Sequence, residues 1–225
     1  MIRLEDIRKS YRARGVTRVV ADGISCTFPA RTAVAIFGRN GAGKSTLLRI
    51  IAGTEDHEGG RVIRRGRISW PVGFAGSFHG DMTGAQNARF AARVCGVDSD
   101  ALVDWVADFA ELGAHYHLPV RTYSAGMKAR LSFGIAMGIP FDTYLVDEVT
   151  APGDRRFRDK SMAVFRQRLE TAGLILVTHS LDFARRLCLH GAVLEDGRLH
   201  YFTDIADALR LHNDLSQQVR ADATA

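Results

Sequence analysis

Gly38-Arg39-Asn40-Gly41-Ala42-Gly43-Lys44-Ser45 fits the pattern G-x-x-x-x-G-K-[ST] at every fixed position. It constrains the fold because the pattern works only where a strand runs into a helix. The flanks agree: residues 32–37 (TAVAIF) read as a buried strand, and residues 46–52 (TLLRIIA) as the helix that follows. A chance glycine-rich turn would lack both flanks. In such a loop the backbone N–H groups from Gly38 to Gly43, and those opening the helix at Lys44, Ser45 and Thr46, turn toward one point. Side chains at Gly41 or Gly43 would obstruct that wrap. A helix N-terminus adds its partial positive charge, so the point suits phosphate. Lys44 then reaches the β- and γ-phosphates of a nucleoside triphosphate, and the Ser45 hydroxyl is a hard oxygen ligand for Mg²⁺.

The chain has 225 residues, enough for one α/β domain with a small inserted lobe. Apolar residues make up 46% and charged residues 24%, which excludes disordered and fibrous classes. The central apolar stretch 131–141 is interrupted by Gly134, Gly138 and Pro140 and is too short to cross a bilayer. Arg3, Glu5 and Asp6 stand where a signal peptide would be apolar, so a cytosolic chain is expected. Cys26, Cys95 and Cys188 are scattered without C-x-x-C spacing, which argues against a disulfide framework or a zinc site. The net charge of +5 comes almost wholly from arginine and admits nucleotide, nucleic acid or an anionic membrane surface as partner. The arginines at 155, 156, 158, 166 and 168 are diluted by Asp159 and Glu170 and read as a solvated helix face.

Short strands are expected at 2–4, 19–20 and 24–28, with Tyr11 in a polar loop between them. Gly59-Gly60 turns the chain into sheet-like pieces at 61–63 and 68–71. From about 81 to 137 the pattern becomes helical. Asp100 is placed to cap a helix over 101–112 that carries Leu102, Val106 and Phe109 on one face and closes at Gly113. Strand 143–146, helix 157–172 and strand 174–177 restore the alternation of a parallel sheet. Asp196-Gly197 between 192–195 and 198–201 is a hairpin signal, and 216–225 reads as a flexible tail.

A phosphate loop alone leaves kinases, GTPases, motors and transport ATPases open. Leu145-Val146-Asp147-Glu148 ends an apolar strand in two carboxylates: Asp147 is placed to hold Mg²⁺ and Glu148 to polarise a water. Leu176-Val177-Thr178-His179 likewise delivers a histidine at a strand end, where it can contact the γ-phosphate and fix that water against Glu148. Ser124 and Gly126 open a helix over 129–136 and make a second anion site.

With these parts in this order the chain resembles the ATP-binding-cassette (ABC) ATPases over nearly its whole length. Ser124-Ala125-Gly126-Met127 takes the place of their signature. The resemblance implies an α/β fold: a P-loop NTPase (RecA-like) core, antiparallel β pieces at the N-terminus and an inserted helical signature subdomain, all within one domain. It implies a head-to-tail homodimer in which the signature of one copy closes over the ATP held by the other. It assigns Tyr11 to stack on adenine, a role that an aromatic face suits. More narrowly, residues 68–73, 82–84, 123–127 and 146–151 resemble the ATPases of capsular polysaccharide exporters, with teichoic-acid and O-antigen export ATPases as relatives. Some O-antigen forms carry an added carbohydrate-binding domain, for which this chain has no room. That points to capsule, to an integral-membrane permease as partner, and to the cytoplasmic face of a bacterial inner membrane.

Two departures stand out. The family's usual glutamine is missing from residues 72–79, where His79 is the candidate replacement, and Ala151-Pro152-Gly153-Asp154 keeps only its last residue in common with the usual interface loop. Asp154 is therefore the residue carried over. Against a soluble ABC-type clamp on nucleic acid or ribosomes, the chain has one cassette and no aromatic-basic tract, so no nucleic acid partner is expected. Against a kinase, it has no acceptor-binding lid.

Overall fold

A computed structural model describes residues 1–13, 15–72, 78–148 and 153–222. In chain order the elements are β1 (Ile2–Ala13), β2 (Val16–Phe28), β3 (Ala33–Phe37), α1 (Lys44–Ala52), β4 (Gly59–Arg64) and β5 (Ile68–Val72). They continue with α2 (Gly84–Cys95), α3 (Ser99–Ala110), two 3-10 turns, α4 (Ala125–Gly138), β6 (Thr143–Asp147), α5 (Arg155–Leu169) and β7 (Gly173–Val177). Last come α6 (Leu181–Leu187), β8 (His190–Glu195), β9 (Arg198–Phe202) and α7 (Ile205–Asp222). Contacts divide the chain into two compact units, one of Met1–Pro71, Asp142–Glu148 and Ala172–Ala225, the other of Val72–Phe141 and Val149–Thr171.

The first unit carries two sheets. A six-stranded sheet runs β5-β6-β7-β3-β8-β9, and an antiparallel three-stranded sheet runs β2-β1-β4. β3 and β7 are covered on both faces, as parallel strands are, and this is why they read as unbroken apolar runs. Register decides where they end. Ile36 lies opposite Val177 and Asp147 opposite Val177, so β3, β6 and β7 finish at one edge. The residues just past that edge are Gly38, Glu148 and Thr178-His179. α1 buries Leu47, Leu48, Ile50 and Ile51 in a core with Val34, Ile36, Leu145, Ile175 and Val177. At about 1.5–3 kcal/mol per buried side chain, this packing fixes the helix behind the loop. The chain leaves β8 through Asp196 and Gly197, both at positive φ, as a two-residue hairpin turn requires.

The N-terminal strands differ from expectation. β1 and β2 form one long hairpin, and Tyr11 lies in β1 opposite Arg18 rather than in a loop. Register shifts between Leu4 and Ile7, between Ile7 and Arg8, and between Lys9 and Ser10 break the alternation, so the sequence shows only fragments of each strand. α6 was not expected, being seven residues long. α7 runs on to Asp222, through most of the segment read as a flexible tail, while residues 223–225 lie outside those described.

The second unit is helical and takes in α5 as well as α2 to α4. Thr83 and Gln86 form a reciprocal capping box on α2. α3 is capped by Asp98, whose carboxylate accepts from the N–H groups of Asp100 and Ala101. Asp100 is therefore inside the helix, and the end falls at Glu111 (φ 52°) rather than Gly113. Leu102, Val106 and Phe109 are buried as one face. Phe109 stacks on Trp105 at 4.8 Å and meets Phe157 edge-on at 5.4 Å. Lys160 donates to the carbonyl of Phe109 at 3.0 Å and to Glu111 at 2.7 Å, placing a cation on the negative end of α3. α4 starts at Ala125, four residues before the expected 129. α5 spans Arg155–Leu169 rather than 157–172, because Asp154 caps it.

Candidate active site

A cleft of about 440 Å³ opens in the first unit, lined by Tyr11, Arg18, Val20, Asn40, Gly41, Gly43, Lys44, Ser45, Thr46, Glu148, Val177 and His179. The phosphate-loop pattern forms its floor. Gly43 is the residue before α1 at φ 104°, and a Cβ there would collide with Val20. Gly41, at φ 80°, would drive one into the Arg18 guanidinium, which donates to the Gly41 carbonyl. Both positions need glycine for backbone conformation and for close approach.

Lys44 is 8% exposed, and its ammonium donates to the carbonyls of Gly38 at 2.8 Å and Arg39 at 2.9 Å. Burial pushes its pKa down, partly opposed by Asp147 and Glu148.

Glu148 has a left-handed backbone at φ 55°, and its N–H donates to the Val177 carbonyl at 2.9 Å. Its Oε1 lies 2.8 Å from Nε2 of His179, with the two side chains 59% and 55% exposed. Adjacent parallel strands thus deliver an acid and an imidazole to one point across the cleft from Lys44. Asp147, half-buried at the end of β6, acts on Lys44 but is not among the lining residues. Arg39 and Ala42 line a second cleft of about 310 Å³ with Arg18, Asn40, Gly41 and residues 194–197.

Tyr11, 39% exposed, stands in the wall of the first cleft, and its hydroxyl donates to Glu55 at 3.1 Å. Arg18 and Val20 line it from β2. Neither was read from the sequence, where they are ordinary members of a charged and β-branched strand. Only the pairing of Tyr11 with Arg18 along the hairpin would have found Arg18.

The other candidates belong to the helical unit. Ser124 caps α4, its hydroxyl accepting from the Met127 N–H at 3.2 Å; Ser124, Ala125 and Gly126 are exposed and Met127 is half-buried. Asp154 accepts from the Phe157 N–H at 2.9 Å and lies 3.5 Å from Arg130. His79 is pinned by its backbone, which donates to Asn87 Oδ1 at 3.0 Å and accepts from Asn87 Nδ2 at 3.2 Å. Most of the segment searched for the missing glutamine, 73–77, and residues 149–152 lie outside the described residues.

A glycine loop gripping a lysine at the end of a parallel strand, with an acid and a histidine on the neighbouring strand ends, defines a P-loop NTPase. The family model described as ABC transporter matches residues 21–151, and this chain belongs to that family. It is 39% identical over 221 residues to the polysialic acid transport ATP-binding protein KpsT of Escherichia coli, covering 96% of this chain and 99% of that one. It is 41% identical over 215 residues to the capsule polysaccharide export ATP-binding protein CtrD of Neisseria meningitidis serogroup B (96% and 100% covered). To the ATP-binding protein BexA of Haemophilus influenzae it is 39% identical over 214 residues (95% and 99%). The fold matches the dimeric structure of a post-hydrolysis state of the ATP-binding cassette MJ0796 bound to ADP and Pi, with a TM-score of 0.73, 19% identity and 89% and 97% of the two chains covered. Among the described residues, no helix is long and apolar enough to cross a membrane.

Proposed function

We propose that this chain is the ATP-hydrolysing subunit of an exporter of capsular or related cell-surface polysaccharide, working against the cytoplasmic face of a bacterial inner membrane. The observation that carries the hydrolytic role is the 2.8 Å approach of Glu148 and His179 in the cleft that holds Lys44. The export role rests on relatives named for capsule and polysialic acid transport that match along nearly their whole length.

The loop N–H groups and Lys44 bind the β- and γ-phosphates, and the ring of Tyr11 stacks on adenine. Ser45 and Asp147 fit Mg²⁺ as hard oxygen donors. Among the described residues no group of three or more His, Cys, Asp or Glu side chains is placed to hold a metal unaided, and phosphate oxygens would be further hard donors to an ion held there. When bound, such an ion would supply positive charge to offset that of the phosphates. Glu148 accepts a proton from the attacking water, and His179 holds that water and the γ-phosphate in line. In a head-to-tail homodimer, Ser124, Ala125, Gly126 and Met127 of a second copy present the start of α4 to the same phosphate, with Asp154 at the shared face. Binding then closes the dimer, hydrolysis reopens it, and an integral-membrane permease turns the cycle into movement of the polysaccharide, which this chain does not itself grip.

The test is affinity capture of the tagged chain from detergent-solubilised membranes, followed by identification of the bound integral-membrane subunit. A polysaccharide exporter's permease supports the reading; the permease of a solute importer overturns it.

A further inference from the structure

A tyrosine offers a base a flat face only if the ring is held, and Tyr11 stands in a cleft wall on a strand whose pairing with β4 ends earlier, at Arg8 opposite Gly59. Two groups hold it. Lys9, two residues back along β1, places its ammonium 5.0 Å from the ring centroid, within cation–π range. Glu55, in the turn just after α1, accepts from the Tyr11 hydroxyl at 3.1 Å and from Lys9 at 2.8 Å through the same oxygen. Lys9 also donates to the Asp56 carbonyl at 2.8 Å, and its side chain is only 13% exposed. Arg49, in the last turn of α1, adds a cation 3.8 Å from Glu55.

We infer that Lys9 and Glu55 are positioning residues for the nucleotide base: they clamp the Tyr11 ring at a set distance from the phosphate loop and leave one face open. The inference rests on Tyr11 being the base-stacking residue, as proposed above. Its geometric basis is that α1 begins at the phosphate loop and ends beside Glu55. The helix therefore carries the triphosphate contacts at one end and the anchor of the ring at the other. With Lys9 over the ring, the base has the opposite face. The pair is matched in charge as well: Glu55 raises the Lys9 pKa, and Lys9 lowers that of Glu55. Both therefore stay ionised across the neutral range.

A clamp of this kind removes the cost of ordering one side chain on binding, an effect of about three- to tenfold in affinity. For the purified full chain, Glu55→Ala and Lys9→Met are expected to raise KM for ATP by that factor with kcat unchanged. Tyr11→Phe, which keeps the ring and loses its hydroxyl, does the same, and its combination with Glu55→Ala adds less than the product of the two. Glu55→Gln, which retains an acceptor, recovers part of the loss. Inorganic tripolyphosphate, which has no base, competes equally well against wild type and variants. If Tyr11→Ala raises KM but Glu55→Ala, Glu55→Gln and Lys9→Met leave it unchanged, the clamp is wrong and stacking stands. If Tyr11→Ala also leaves it unchanged, the stacking reading falls first. Equal weakening of tripolyphosphate would mean that Glu55 merely supports the fold.

Discussion

In the sheet-bearing unit, Lys44, Glu148 and His179 arrive from α1, the end of β6 and the end of β7 and face one cleft. In the helical unit, Ser124, Ala125 and Gly126 stand exposed at the start of α4, and the hydroxyl of Ser124 is engaged by its own helix. One unit assembles its polar groups against each other. The other displays an exposed helix N-terminus. On the proposed function, that difference separates chemistry from control: the first unit holds the residues assigned to nucleotide and hydrolysis, and the second those assigned to the partner copy's phosphates.

The sharpest way to break this division is at Glu148. Glu148→Gln is expected to lower ATP turnover by about 10²- to 10⁴-fold, the span of general base catalysis, while retaining ATP binding and accumulating a stable dimer. Phosphate-release kinetics and size-exclusion chromatography with ATP read both, and undiminished turnover would remove Glu148 from its proposed role. Ser124→Ala examines the other unit. Turnover should fall roughly 10- to 100-fold through loss of a phosphate-facing group, with ATP affinity of the monomer unchanged. The lost cap costs only about 1 kcal/mol in denaturant unfolding, so a fall in turnover matched by that stability loss alone would erase the control role.

Smaller effects test whether each unit is stabilised independently. Lys160→Met removes the cation from the end of α3 and should cost about 1 kcal/mol. Amide exchange should quicken in α3 and α5 while ATP binding stays intact; quickened exchange in α1 would contradict it. The least effect is expected from His212, in α7, which stacks on Phe37 at 5.7 Å. Burial lowers its pKa, aided by Lys44 and His179. A lowered histidine pKa means that the unfolded chain takes up the proton first, so its neutral stacked form stops favouring the fold as pH falls below about 6.5. His212→Phe should flatten the decline in melting temperature on acidification; an unchanged slope would show that His212 does not contribute to it.

The parts of the fold that could be read beforehand were those where one physical demand governs. β3 and β7 are apolar because both faces are covered, and Gly41 and Gly43 are glycine because Arg18 and Val20 crowd them. The site was legible for the same reason, since Glu148 and His179 follow directly on such strands. The β1–β2 hairpin was not, because its register shifts interrupt the alternation and its exposed stretch carries charge. The local pattern consequently puts Tyr11 in a loop and gives no signal for Lys9, Arg18 or Glu55. Their proximity depends on pairing between distant segments, and local pattern does not encode that. The start of α3 failed for a narrower reason: Asp98 and Asp100 are both sound caps, and the local pattern did not decide between them.

The backbone of Glu148 sets stability against the proposed chemistry. Among the described residues that line the cleft around Lys44, Glu148 is the one other than glycine at positive φ, where an L side chain costs about 1–2 kcal/mol and asparagine fits more readily. Glu148→Asn would therefore strengthen the fold while removing the proposed base. The melting temperature should rise while ATP turnover falls, and an unchanged or lower melting temperature would show that the strain at Glu148 is not felt.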